Sequence, residues 1–478
     1  MKKLLGFLSV LLLFAMFLAA CDNGDNGDDG DNGNDANGEE VEEDVDDADD
    51  EDDASDADDA DDADDEDDAD DAVVDDGDIV LTVPYLGLTD EQIELAESLD
   101  EMDTPYNRFM YGLRREAESA MEEQGAEVEF VDWGWAESLD AQQRSLIAAG
   151  DAPDIVVGEI FMPTYAAEDI LQPLPQDIVD SVNPSFLVFN DNDEPVAVAA
   201  RASVFLLFYN RELLEAVGFD DPPTTWDEFQ SMAEAITEEG DGEFYGGGVP
   251  SFPHAGGALR ATPFFRQMGT DFIVDGELQL ESQELIDTLY FIREMNRNLP
   301  LGLGNSASED PMWNAFEVEQ NIAFVINGTW QAAGAERNDM NWGVAPLPLP
   351  DGGEEGNCLV AAMYMAVPRD AAHPELSFDI IRIALQESLS EIWLEDTVPS
   401  PRQDILDDDA RWSDNEALAV AVEAVSSGEL SGLATFPAND SQIWEIINTQ
   451  VLARTTMTED PIDTIVAEAT AQIESLME

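Results

Sequence analysis

Lysine is missing from this chain after Lys3. The 478 residues carry 18 basic side chains, 2 histidines and 2 cysteines against 109 acidic residues, for a formal net charge of −91. Each scarcity excludes something. Two cysteines cannot build a four-thiolate metal site, and His254 and His373 suggest no metal centre. A field of this sign excludes nucleic acid as a partner. The chain also lacks a G-x-S-x-G elbow, an H-E-x-x-H pair and a phosphate-cradling glycine loop, and no cofactor is expected.

What the N-terminus does contain is ordered by type. Lys2 and Lys3 precede an apolar block over residues 4–20 that closes on Ala19 and Ala20, the layout of a secretory signal. The block sits at the short limit for a membrane span, and no basic stop-transfer cluster follows it. Leu18-Ala19-Ala20-Cys21 resembles the lipobox of bacterial lipoproteins, which implies a lipidated Cys21 and leaves Cys358 without an internal disulfide partner. Residues 22–78 are almost entirely Asp, Glu, Ala, Gly and Asn, with too little apolar surface to offset chain entropy. They are expected to form a disordered, self-repelling tether, whose reach as a plain coil would be about 40 Å. An EF-hand loop is excluded, because glycine falls where "DNGDNGDDGDNG" needs a third-position ligand.

Acidity does not end with the tether. Of the 109 acidic residues 33 lie in 22–78, which leaves 76 facing 16 arginines in the remainder. Ordinary proteins avoid such self-repulsion, whereas salt near 1 M shortens the Debye length to about 3 Å. The balance points to a halophile's extracytoplasmic protein.

With 44% apolar residues the chain has material for two or three domains. Folded sequence begins near Ile79 with "IVLTVPYLG", a short strand. In "TPYNRFMYGLRREAESAMEEQG" the residues Phe109, Leu113, Ala117 and Met121 recur every fourth position, with Thr104 and Pro105 at the start and Gly125 past the end, and this predicts a helix. The strand "AEVEFVDW", a helix over 137–149 and the strand "DIVVGEI" follow. After "NDNDEPVAVAA" the pattern restarts with the strand "SVFLLFYN", a helix over 212–217 and a capping box at Thr225-Trp226-Asp227-Glu228. This alternation predicts an α/β chain with parallel, helix-covered sheets and a cleft where two such units meet.

The segments "AAGDAPDIVV", "FYNRELLEAVGFDDPPTTWDEF", "AFEVEQNIAFVINGTW" and "WGVAPLPLPDGG…MAVPRDAAHPELSFDII" occur in an order and spacing that resemble the extracellular solute-binding proteins of ABC importers, the family of the maltose- and multiple-sugar-binding receptors. The resemblance covers nearly all of 79–478 and implies a two-lobed, type II periplasmic-binding-protein-like α/β fold with an interlobe ligand cleft. Its crossings would fall near 199–203, 343–347 and 397–402. One lobe would hold 79–199 and 348–396, the other 200–347 and 397–478, after a signal peptide at 1–20 and the lipidated tether at 21–78. The implied function is capture of a solute, a mono- or oligosaccharide, at the outer face of the cell membrane and delivery to the transmembrane subunits of an ABC permease, without catalysis. The alternative is a membrane-anchored glycoside-active enzyme, which needs two carboxylates at fixed separation, and in so acidic a chain any pair can be nominated.

A carbohydrate cleft needs aromatic faces beside Asp, Glu, Asn and Arg. Trp330 is the leading candidate, because "NGTW" is similar to the family's cleft turn; a core tryptophan at a strand–helix corner is the alternative. Tyr85 follows the first strand, without the family's usual tryptophan-bearing motif. Trp133 and Trp135 follow the second strand, and Glu159 and Phe161 the third. Arg201 and Arg402 lie at the first and third crossings, each able to fork two hydroxyls or to pair with a surface acid. Asn357 and Tyr364 flank "CLVAAM", and His254 in "PSFPHAGG" faces the cleft from the second lobe. Trp226 and Trp313 are read as core, and His373 as a helix-start surface residue.

One expectation follows from charge alone. The body 79–478 should lose its compact fold as salt is withdrawn, because about 60 net negative charges then repel unscreened. Circular dichroism at falling salt is the measurement, and a melting temperature indifferent to salt would contradict it.

Overall fold

The computed structural model describes residues 79–84, 104–134, 136–158, 161–274, 276–352, 360–426, 432–436 and 439–477. The signal segment, Cys21, the tether, Tyr85, Trp135, Glu159, Asn357 and Cys358 lie outside the described residues. Among the described residues no helix is long and apolar enough to cross a membrane.

Strand β1 (Ile79–Pro84) pairs in parallel with β2 (Ala126–Val131), and the helix Pro105–Glu123 makes the crossover between them. That helix starts where its sequence signals fall. The Thr104 hydroxyl accepts the Asn107 N–H, Pro105 fills the first position, and Gly125 follows the end at φ +75°. Its four-residue stripe is wholly buried, Phe109, Ala117 and Met121 at 0% exposure and Leu113 at 3%. Burial of Phe109, Leu113 and Met121 contributes roughly 1.5–3 kcal/mol each. At Thr225 the cap also forms, with the hydroxyl accepting the Glu228 N–H at 3.2 Å. Glu228 reaches back one residue further than a capping box requires, to the N–H and hydroxyl of Thr224.

The main sheet is organised by one strand. Its members are β3 (Val156–Gly158), β4 (Leu187–Phe189), β5 (Pro195–Asn210), β6 (Tyr245–Gly247), β9 (Ile322–Gly328), β10 (Trp342–Ala345) and β11 (Val360–Ala366), while β7 (Ile273–Val274) and β8 (Glu277–Leu278) form a separate hairpin. The spatial order is β3-β11-β5-β9-β6, with β4 and β10 also on β5. Up to Val204, β5 pairs with β11 and β4; from Phe205 it pairs with β9 and β10.

Two sequence expectations change here. The strand read as "SVFLLFYN" begins at Pro195, eight residues earlier, because Arg201 does not interrupt it: its guanidinium lies among aromatic rings. The expected parallel pairing holds only for β1–β2 and β6–β9, and every pairing of β5 is antiparallel. A strand that passes from one set of neighbours to another needs no helical crossover, so βα periodicity does not report its direction.

Pleat alternation divides the core along the second half of β5. Phe205, Leu207 and Tyr209 face one apolar cluster, with Phe229, Phe264 and Ile326, whereas Leu206 and Phe208 face another that runs on through Val198, Phe109 and Trp393. Gly247 is needed where β6 meets β9: its φ is +111°, and a Cβ there would lie 2.1 Å from the Phe324 carbonyl oxygen.

Candidate functional site

Where β5 changes partners, side chains from distant segments converge. Arg201 projects from β5 with its side chain 14% exposed, its Cζ 5.2 Å from the Trp393 ring, 5.7 Å from Tyr106 and 5.8 Å from Trp330. Such distances allow cation–π attraction with three rings at once. Its Nη2 lies 3.6 Å from Asp396 Oδ2, and its Nε is buried without a hydrogen-bond partner among the described residues. That leaves a fixed donor unspent. Trp393, itself fully buried, is pinned by donation from Nε1 to the Ala200 carbonyl at 2.9 Å.

Trp330 ends the turn after β9 and is half-buried. Its ring meets Phe205 edge-on, centroids 5.5 Å apart at 88°. Gly328 makes room for it, since a Cβ at that position would lie 2.0 Å from the indole. The turn therefore holds the ring with one face against its own backbone.

Asp396 is the electrostatic cost of this junction. Burial outweighs the pull of Arg201 and pushes its carboxyl up to about 6 from an ordinary 3.8. A folded-state value above the unfolded one means that this group opposes folding above about pH 6 and stops doing so below about pH 4. Thr397 follows at φ +59°, a strained conformation for a β-branched residue.

A second meeting point is a cavity of about 270 Å³ lined by Phe161 and Asp140 on one side and by His254, Trp444 and Asn448 on the other. Phe161 is 6% exposed, its ring over Gly158, where a Cβ would lie 2.3 Å away. His254 caps the helix Ala255–Gln267, accepting the Gly256 N–H at Nδ1, and stacks on Phe252 at an interplanar angle of 1°. Asn448 is 3% exposed, and its Oδ1 has no partner among the described residues.

Three further candidates lie among the described residues. Trp133 is half-buried against the cluster that holds Leu206, Phe109 and Trp393. Tyr364 is 6% exposed within β11, opposite Gly158 and Ala199, and burial pushes its phenol up to about 12. Arg402 forks Asp404 at 2.8 and 2.6 Å and donates to the Leu385 carbonyl, the acid pairing left open by the sequence. Trp226 is buried and stacks on Phe291 at 4.1 Å, whereas Trp313, read as core, is only half-buried. Tyr106, Trp393, Asp396, Asp140, Trp444 and Asn448 were not singled out by sequence. Nothing local marks Tyr106, Trp393 and Asp396, because Arg201, which they meet, lies 95 to 195 positions away. Among the described residues no group of three or more His, Cys, Asp or Glu is placed to hold a metal ion.

Aromatic and guanidinium groups thus gather where β5 changes partners. A family model for bacterial extracellular solute-binding proteins matches residues 106–388, more than half of the chain, and the chain belongs to that family. It is 22% identical over 271 residues to the maltodextrin-binding protein MdxE of Bacillus subtilis, which covers 53% of this chain and 61% of that one. The chain thus spans less than two thirds of the length of the curated relatives first matched. An ABC transporter solute-binding protein of Thermotoga lettingae, solved with α-D-tagatose, superposes with a TM-score of 0.65 at 19% identity over 84% of this chain and 100% of that one. The GacH receptor of Streptomyces glaucescens, solved unliganded and with acarbose, gives 0.64 at 18% over 84% and 98%. These likenesses establish the fold as the two-lobed α/β architecture of type II binding proteins.

Truncating the indole tests the site. If Trp330 stacks on a ligand, Trp330→Ala should weaken affinity about 5- to 150-fold, the equivalent of roughly 1–3 kcal/mol, and leave the fold in place. A core tryptophan would instead cost about 3–5 kcal/mol of stability. Calorimetric titration beside a melting curve separates the two, and unchanged affinity with a large stability loss would remove Trp330 from the site.

Proposed function

We propose that this protein captures a mono- or oligosaccharide between its lobes and delivers it to the transmembrane subunits of an ABC permease. The observation that carries the reading is the pairing of Trp330 with Arg201 where β5 changes partners: an aromatic face for a sugar ring beside a guanidinium group that can donate to its hydroxyls. The names of the relatives support it, since they include a maltodextrin-binding protein and receptors solved with tagatose and acarbose. We place the lobes at 79–199 with 348–396, and 200–347 with 397–478. In this reading Trp330, Arg201, Phe161 and His254 contact ligand. Tyr85, Trp133, Trp135, Glu159, Asn357, Tyr364 and Arg402 remain candidates on the resemblance alone.

A thermal-shift screen across sugars, amino acids and betaines at molar salt tests the ligand class. A sugar at 100 times its dissociation constant should stabilise the fold by about 2.7 kcal/mol. Stabilisation by amino acids or betaines and by no sugar would contradict the proposal.

The N-terminal sequence supports the setting. A lipid on Cys21 would hold the receptor at the outer face of the membrane, the acidic run 22–78 would act as its spacer, and the acidity of the body suits high salt. Cys21→Ser should then move the protein from the membrane fraction to the soluble one with its melting curve unchanged. Continued tight membrane association of that variant would refute the anchor.

A further inference from the structure

Arg260 is a fully interior cation, 1% exposed, in a chain with few cations to place. Its guanidinium makes four hydrogen bonds: Nη1 donates to the Gly256 carbonyl at 2.7 Å and to Glu309 Oε1 at 3.0 Å, and Nη2 donates to Glu309 Oε2 at 2.6 Å and to Asn327 Oδ1 at 2.7 Å. A buried ion pair is a weak source of stability, because apolar side chains of similar volume often serve a core as well or better. What apolar fill cannot do is tie two separate segments in fixed geometry. One segment is Glu309 to Trp313: Glu309 Oε2 also accepts Trp313 Nε1 at 3.2 Å, and the guanidinium carbon lies 4.8 Å from that indole. The other is the turn that carries Trp330. Asn327 Oδ1 also accepts the Gly328 N–H at 2.9 Å, and Asn327 Nδ2 donates to Gln331 Oε1 at 2.7 Å, so the two residues flanking Gly328-Thr329-Trp330 are locked together. Phe205 completes the arrangement, 5.6 Å from the guanidinium and edge-on to Trp330.

We propose that Arg260 is a positioning residue: it touches no ligand, and its fork sets the orientation of Trp313 and Trp330 together, so that affinity depends on it through the Trp330 indole. The inference rests on Trp330 facing ligand. Lysine keeps the charge and cannot form the fork, which separates geometry from electrostatics.

The test uses the full chain with Arg260→Lys and Arg260→Met. In unliganded protein, amide hydrogen exchange over 309–313 and 327–331 should become at least about tenfold faster in Arg260→Lys, with exchange in the helix Pro105–Glu123 unchanged. With maltose as probe, affinity should fall about tenfold in both variants, whatever happens to the melting temperature of Arg260→Met. Unchanged exchange in both segments, or faster exchange everywhere in step with a lower melting temperature, would overturn the proposal. The exchange measurement needs no ligand. If Trp330→Ala leaves maltose affinity intact, the site reading fails while the exchange result still decides the role of Arg260.

Discussion

The structure depends on a single strand having to satisfy two sets of neighbours. β5 spends its first ten residues on β11 and β4 and its last six on β9 and β10, and backbone hydrogen bonding leaves it no freedom to shift by one residue without inverting which face each side chain occupies. Because Phe205, Leu207 and Tyr209 are committed to one core and Leu206 and Phe208 to another, the register is fixed from both sides. Arg201, four residues before Phe205, is thereby held at the junction, and Tyr106, Trp330 and Trp393 pack around it. Ligand recognition in this account is a consequence of strand register.

Charge shapes the molecule differently. Most arginines sit in partly exposed ion pairs, such as Arg411 with Glu387, Glu391 and Asp408, and pairs of that kind contribute little to stability and less in salt. The interior cations behave otherwise. Arg260 forks a carboxylate, and Arg293, 8% exposed, ignores the surrounding acids and donates to the carbonyls of Thr455 and Asp460. Cohesion therefore rests on the apolar clusters, while the buried guanidinium groups fix where segments meet.

Local chemistry was legible in the sequence, and distant pairing was not. Thr104, Pro105 and Gly125 announced a helix, and Thr225 announced a cap, because each acts within one turn of chain. "NGTW" placed Trp330 at a turn, and glycine at 328 proved to be the room its ring requires. What Trp330 faces was hidden, since Phe205 and Arg201 lie more than 120 positions away. The length of β5 was hidden too, because the rings that shelter Arg201 within it lie 95 to 192 positions away. The antiparallel character of its pairings has no local signature at all.

The central claim is that ligand is held at Trp330, beside Arg201, at the point where β5 changes partners. A crystal structure of the protein with whichever sugar raises its melting temperature tests it most directly. The account predicts a sugar ring within about 4 Å of the Trp330 indole, with the Arg201 guanidinium donating to a hydroxyl. A sugar bound elsewhere, with both side chains arranged as they are now, would contradict it.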